Sequence, residues 1–354
     1  MNRAHLPQLR LQNHRLTNHP FKTPAEVVGW LGAVQSQDYT GAKWALGLRM
    51  HGAHDSEIDQ AFDDGTILRT HILRPTWHFV LPADIRWIQK LTAPHVHVVN
   101  STIYKRMGLD ASIIKRSRTL LTKILRDQHY LTRDELGAHL EKNGIAQKGL
   151  GLAYIVMHAE LEGILCSGPR RGKQFTYALL DERAPQTPAL TREQALAELT
   201  KRYLTSHGPA TVQDYSKWSG LKISEARRGI ELVKAQFIQA TIDGKTYWFP
   251  PNPKLKKEKT PIAYLLSNYD EYFSGYADHS LVIDPAHANQ FELLYPHSIV
   301  LDGRVAGVWR RVFTKDGLVI TPKLFRPFTA AETHALTRSA SQYSKFLEMP
   351  VSFL

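Results

Sequence analysis

Four consecutive segments decide the fold: REQALAELTKRYLTSHG (192–208), ATVQDYSKWSG (210–220), ISEARRGIELVKAQF (223–237) and IQATIDGKTYWFPP (238–251). The first three carry helical periodicity. The last reads as a two-stranded hairpin. The same order occurs upstream. There SIIKRSRTLLTKILRD (112–127), LTRDELGAHLEK (131–142) and GLAYIVMHAELEGIL (151–165) precede CSGPRRGKQFTYALL (166–180). The two copies share a Thr before the second helix (Thr132, Thr211), the steps Glu160-Leu161 and Glu231-Leu232, and the hairpin halves GKQFTY and GKTYWF. Three helices followed by a hairpin is the order of a winged helix, a helix-turn-helix whose wing is a β-hairpin. Two copies in tandem make the reading far more specific than one.

Working outward, the N-terminal region reads as a third, divergent copy. Thr23-Pro24-Ala25-Glu26 supplies an N-cap, a proline at the first helical position and a capping-box glutamate. Val27, Trp30, Leu31 and Val34 then recur at helical spacing, which predicts a helix ending near Val34 or Gln35. ILRTHILR and TWHFVLP alternate like strands around Pro75. Beyond the Pro- and Lys-rich segment 252–260, taken as a linker, Asp302-Gly303 and Asp316-Gly317 mark two hairpins, and a closing helix is expected near 329–346. The chain is thus expected to be α+β. Its expected units are a first winged helix at 1–108, a second at 109–183, a third at 184–251, and a linker with a β-rich C-terminal domain at 252–354. The last helices of the three units are expected to line one positive, concave clamp.

Composition narrows the partners. The 354 residues include 45 Lys and Arg against 33 Asp and Glu, a net charge of +12 that favours polyanions, with nucleic acid ahead of an anionic membrane surface. No apolar run approaches the ~20 residues needed to span a bilayer, and MNRAHLPQLR lacks the apolar stretch of a signal peptide. A cytoplasmic, nucleoid-associated protein is expected. The single cysteine, Cys166, permits no internal disulfide, and the 17 histidines show no HExxH-like spacing, so no metal is expected. Neither GxGxxG nor GxxxxGKS occurs, and no cofactor is expected. Tandem copies in one chain also make a dimeric partner unnecessary, which suggests a monomer.

Gln35 and Gln37, in GAVQSQDYTGAKW, stand where the first apolar helix stops. Residues two apart diverge on a helix and converge on an extended segment, so the amides can act together only if the helix has ended. The alternative is a pair of solvated polar residues at a helix end. Among the basic residues, Arg170, Arg171 and Lys173 flank the second unit's hairpin. Arg227, Arg228 and Lys234 lie at the third unit's last helix, and Lys245 lies in its hairpin. These are candidate phosphate contacts, the alternative being a solvated basic surface. His78 is a candidate for approach to DNA, or a strand residue facing solvent. Asp270, Glu271 and Asp278 form a possible acid–base or Mg2+ cluster, but their tyrosine-rich surroundings favour acids anchored at a domain junction.

GAVQSQDYTGAKWALGLR, LRPTWHFVLPAD, HGPATVQDYSKWSGL, SNYDEYFSGYADHS and VLDGRVAGVWRR, in this order, resemble the AlkZ/YcaQ-like winged-helix DNA glycosylases over roughly residues 10–350. The resemblance implies tandem winged helices with a β-rich C-terminal domain and removal of alkylated, cationic bases from double-stranded DNA, with crosslink unhooking in some members. It places that family's Gln-x-Gln catalytic motif on Gln35-Ser36-Gln37. Asp38 lies one place late for the Gln-x-Asp form of the other branch. The chemistry is consistent with amides: an N7- or N3-alkylated purine is already cationic and leaves without protonation. The site then needs only to hold a water near the anomeric carbon, and a glutamine oxygen can accept that water's hydrogen bond. The expected activity is that of a monofunctional, metal-independent glycosylase. The competing expectation is a winged-helix DNA-binding protein or transcription regulator without catalysis.

Overall fold

The computed structural model describes residues 2–251, 260–288 and 297–353; most of the expected linker lies outside the described residues. Within them one topology recurs three times. After α1 (Leu6–Asn13), the first unit comprises α2 (Pro24–Leu31), β1 (Val34–Gln35), α3 (Tyr39–Gly47), α4 (Asp55–Asp63), β2 (Leu68–His71) and β3 (Trp77–Val80), with sheet order β1-β3-β2. A 25-residue helix, α5 (Pro82–Arg106), leads into the second. That unit has α6 (Ala111–Ile124), β4 (Leu131–Thr132), α7 (Arg133–Lys142), α8 (Leu150–Leu161), β5 (Leu165–Ser167) and β6 (Thr176–Leu179), again in the order β4-β6-β5. The turn α9 (Leu180–Arg183) follows. The third unit has α10 (Arg192–His207), α11 (Val212–Ser219), α12 (Ile223–Val233) and the hairpin β7 (Ile238–Ile242) and β8 (Lys245–Phe249). A bridge from Ala210 to Trp248 stands where the first strand stands in the other two.

Local chemistry explains the repetition. Thr132 and Thr211 cap the second helix of their units through reciprocal capping boxes with Glu135 and Asp214, and Asp38 caps α3 at the equivalent place in the first unit by accepting from Gly41 N–H, whereas the box of Thr23 with Glu26 starts that unit's first helix. In the third hairpin Asp243 and Gly244 both take positive φ, 50° and 74°, as a two-residue turn of this hand demands. The C-terminal part is a sheet of β9 (Ala263–Leu266), β10 (Ser298–Leu301), β11 (Arg304–Thr314), β12 (Gly317–Leu324) and β13 (Val351–Phe353). The turn α13 (Glu271–Ser274) follows β9, and α14 (Ala330–Leu347) closes the domain, near the expected 329–346. Strand order is β13-β12-β11-β10-β9, with β13 parallel to β12.

Only the second unit has a core largely its own, built on Leu121, Leu136, Ile155 and Leu165. The others share cores across the expected boundaries. One cluster joins Val34 and Phe79 of the first unit to Leu265, Ile299 and Tyr343 of the C-terminal part. A second joins Ala33, Leu68 and Val80 to Trp218 and Tyr203 of the third unit. The small sheet β1-β3-β2 therefore lies between two cores, each of its faces feeding one of them.

The expected row of three basic helices does not form. Helix α4 carries Asp55, Glu57, Asp59 and Asp63 and no basic residue, and most of α8 is buried. An acidic helix repels phosphate and a buried one cannot reach it. Among these three, α12 alone displays arginines to solvent.

Candidate active site

The chain leaves α2 at Gly32, whose φ of 84° ends the helix three residues earlier than periodicity predicts. Residues 34 and 35 are consequently extended. Val34 pairs with Phe79 and Gln35 with His78, and Ser36 N–H donates to the Trp77 carbonyl at 2.8 Å. Alternation then sorts the side chains. Val34 and Phe79 face the first core, whereas Gln35, His78 and Thr70 share the face toward the third unit. Gln37 follows in the bend just beyond the strand. It is exposed, and its Oε1 accepts from Trp77 N–H at 3.4 Å. Gln35 is 8% exposed, and its amide has no hydrogen-bond partner among the described residues.

Three groups hold this segment in place. The outward N–H of Gln35 donates to Glu271 Oε1 at 2.7 Å. The Ser36 carbonyl accepts twice from the Arg69 guanidinium, at 3.1 Å each. Arg69 lies over the rings of Trp77 and Phe175, at 4.3 and 4.6 Å, and its burial brings it down to about 10, still charged at neutral pH. Asp38 caps α3 by accepting from Gly41 N–H at 3.1 Å, which turns the chain away immediately after Gln37.

Glu271 is wholly buried. Its second oxygen accepts from Trp218 Nε1 at 2.9 Å and lies 3.4 Å from His207 Nε2. Burial alone would raise its pKa, but His207 and the nearby Arg74 and His78 hold it below the ordinary carboxylate range. Its neighbour Asp270 binds the buried Arg49 bidentately at 2.8 and 2.9 Å. Both acids are thus anchors at the junction of first unit, third unit and C-terminal part, the reading that sequence favoured. Asp278 stands apart from them, paired with Lys245.

His78 requires correction. It is 0% exposed, its Nδ1 is 2.9 Å from the Thr76 carbonyl, and its Nε2 is 3.3 Å from Arg74. Burial, reinforced by Arg74, lowers its pKa to about 3, so it is a neutral core group that faces neither solvent nor phosphate.

The basic candidates divide. Arg170 is drawn inward: it binds Asp59 at 2.7 Å and lies over Tyr39 at 5.2 Å, tying the second unit to the first. Arg171 pairs with Glu135, Arg228 with Glu193 and Lys234 with Glu231, all at exposed positions. Lys173 and Arg227 are exposed and carry no ion pair among the described residues. Folding brings His97 and His158 beside Glu162 from separate helices, a grouping that sequence spacing does not display. Sequence reasoning did not reach Arg69; nothing in ILRTHILR distinguishes its role from that of a strand-edge arginine.

The solved structure of the Streptomyces sahachiroi DNA glycosylase AlkZ matches this fold with a TM-score of 0.80 at 21% identity, covering 100% of both chains. A curated relative, an interstrand DNA cross-link repair glycosylase from Streptomyces sahachiroi, is 24% identical over 330 residues, 88% of each chain. The family model described as DNA glycosylase AlkZ-like matches residues 28–346, and the chain belongs to that family.

Proposed function

We propose that the protein is a monofunctional DNA glycosylase that releases cationic N-alkylated bases from double-stranded DNA, with Gln35 and Gln37 holding the attacking water. The observation that supports this reading is that the helix ends at Gly32 and Gln35 lies on the extended β1, with Gln37 two residues further on and open to solvent. In such a site the positively charged base departs with the electrons of the glycosidic bond. The water then attacks the anomeric carbon while an amide oxygen accepts its hydrogen bond, and the proton it sheds on becoming the sugar hydroxyl passes to solvent water. No side chain here is asked to protonate the leaving group. The ionised Glu271, one hydrogen bond behind Gln35, adds negative potential that favours developing positive charge on the sugar.

The three repeated units are winged helices in this reading. Lys173 and Arg227 are the first choices for phosphate contact, followed by Arg171, Arg228, Lys234 and Lys245, whose exposed pairs exchange readily for phosphate. Arg170 is not among them. Exposed Val312 and Phe313, on the long β11–β12 hairpin, are apolar groups of the kind that wedge between base steps. The name of the curated relative, an interstrand DNA cross-link repair glycosylase, supports including crosslinked DNA among the substrates. The protein acts as a monomer, and its chemical step needs no metal.

Burial of Gln35 favours a second reading, in which the protein binds damaged DNA without cutting it. Incubation with duplex containing N7-methylguanine, followed by analysis of released base, decides between them. Base release that disappears in Gln37→Ala supports the glycosylase; tight binding without release supports the binder.

A further inference from the structure

Helix α5 and helix α8 pack side by side and bring three ligand-type side chains together away from the glutamines. His158 and Glu162 are four residues apart on one face of α8 and its C-cap, and His97 comes from α5. One ligand atom from each lies within 4.8 Å of the other two. His97 Nε2 is 3.0 Å from Glu162 Oε1, and the two imidazole rings are 4.6 Å apart. We propose that His97, His158 and Glu162 form a binding site for a divalent transition-metal ion, with Zn2+ the best match.

The donor set selects the ion. Two imidazoles and a carboxylate suit zinc and its neighbours, whereas Mg2+ and Ca2+ take oxygen ligands. Zinc bonds of about 2.0–2.2 Å in a tetrahedron separate ligand atoms by about 3.4 Å. The His97–Glu162 pair is already near that separation, and partly exposed Glu162 is free to adjust toward the rest. An outer partner is also in place. His97 Nδ1 is 3.0 Å from the Tyr104 hydroxyl, which accepts from Asn100 at 3.4 Å, leaving Nε2 for the ion. The charge of Arg118 acts on His158 and opposes a cation there. His97 and Glu162 further line a cavity of about 340 Å³ with Gln89 and Lys90, room for a water to complete the coordination.

An ion held here staples α5, which follows the first unit's hairpin, to the last helix of the second unit. Its role is structural, outside the Gln35–Gln37 site. The test uses metal-stripped full-length protein titrated with Zn2+ by calorimetry and with Co2+ by visible absorption. The expected result is a single bound equivalent and a rise in Tm on adding zinc. Binding should weaken at least ~100-fold in His158→Ala and roughly 10-fold in Tyr104→Phe, whose hydroxyl touches only the outer side of His97. Should His158→Ala fold poorly, Glu162→Gln at its exposed position gives the same comparison, with retained circular dichroism as control. Wild-type protein that binds no zinc at micromolar concentrations overturns the proposal, as does unchanged affinity in both His97→Ala and Glu162→Gln.

Discussion

The N–H of Gln35 donates to Glu271 across 236 residues of chain, at 2.7 Å. One carboxylate from the C-terminal part therefore fixes the strand that carries the glutamine pair, and it also receives the indole N–H of Trp218 from the third unit. Removing it should do two separable things. Glu271→Ala leaves buried donors without an acceptor and should cost about 3 kcal/mol or more in urea unfolding. Glu271→Gln keeps the shape and one acceptor oxygen but removes the charge and turns an NH2 toward one of the two donors, so it should cost less than the alanine but not nothing. It should remain folded, bind duplex normally and release N7-methylguanine more slowly. An unchanged release rate in a folded Glu271→Gln variant would show that this carboxylate serves structure alone.

Gln37→Ala and Gln35→Ala should each lower base release by ~10²-fold, the scale of one hydrogen-bonding group at a reacting centre. Their stabilities should differ. Gln37 is exposed, so its loss should change unfolding free energy by less than about 0.5 kcal/mol, while Gln35 packs between the sheet and the third unit. Since neither side chain carries charge, affinity for undamaged duplex should hold in both. Single-turnover kinetics with equal duplex binding would establish the distinction; parallel losses of binding and release would assign the pair to DNA recognition.

The second and third units were legible because each rests on local signals: the capping threonines Thr132 and Thr211 and the hairpin halves GKQFTY and GKTYWF are written in neighbouring residues. The Lys315-Asp316 turn shows the limit of such signals, since Gly317, read as part of the turn, opens β12 instead. The shared Glu-Leu step proved misleading. Glu160 is buried against His71, whereas Glu231 is exposed beside Lys234. The glutamines were visible, yet their supports were not. Arg69 and Glu271 reach them through contacts between distant strands and helices, which no window of sequence displays. His97 with His158 failed to register for the same reason, and α4 shows the opposite failure: its acidity was plain in DSEIDQAFDD and was overridden by the repeat pattern.

Lys173 and Arg170, three residues apart, should respond oppositely to alanine. Lys173 is exposed and unpaired among the described residues, so Lys173→Ala should weaken duplex binding and reduce the slope of log K against log salt by about 1, with stability unchanged. Arg170 spends its charge on Asp59 and Tyr39. Arg170→Ala should destabilise the fold by roughly 1–3 kcal/mol and leave the salt slope alone. Fluorescence anisotropy over a salt series, beside thermal unfolding, measures both.

His78 should also make the fold sensitive to mild acid. In the folded chain burial and Arg74 lower its pKa to about 3, against about 6.5 in an unfolded chain. Below pH 6.5 the unfolded state therefore binds a proton that the native state refuses, and stability falls as pH falls until the folded value is reached. The loss amounts to ~1.4 kcal/mol per pH unit well below 6.5, or about 2 kcal/mol by pH 5 from this residue. His158 and His297, each lowered to about 4 chiefly by burial, contribute in the same direction to a smaller extent because they are partly exposed. The carboxylate of Glu271 hardly enters in this window, since in the unfolded chain it takes up its proton only near 4.5 and in the folded chain lower still. Urea unfolding at pH 7, 6 and 5 should show the decline. His78→Asn, which cannot titrate, should flatten the slope between pH 6 and 5 by close to one proton, whatever its effect on stability at pH 7. A wild-type stability that is constant across this range would mean that His78 takes up its proton in the folded state and that the pocket behind Gln35 admits charge.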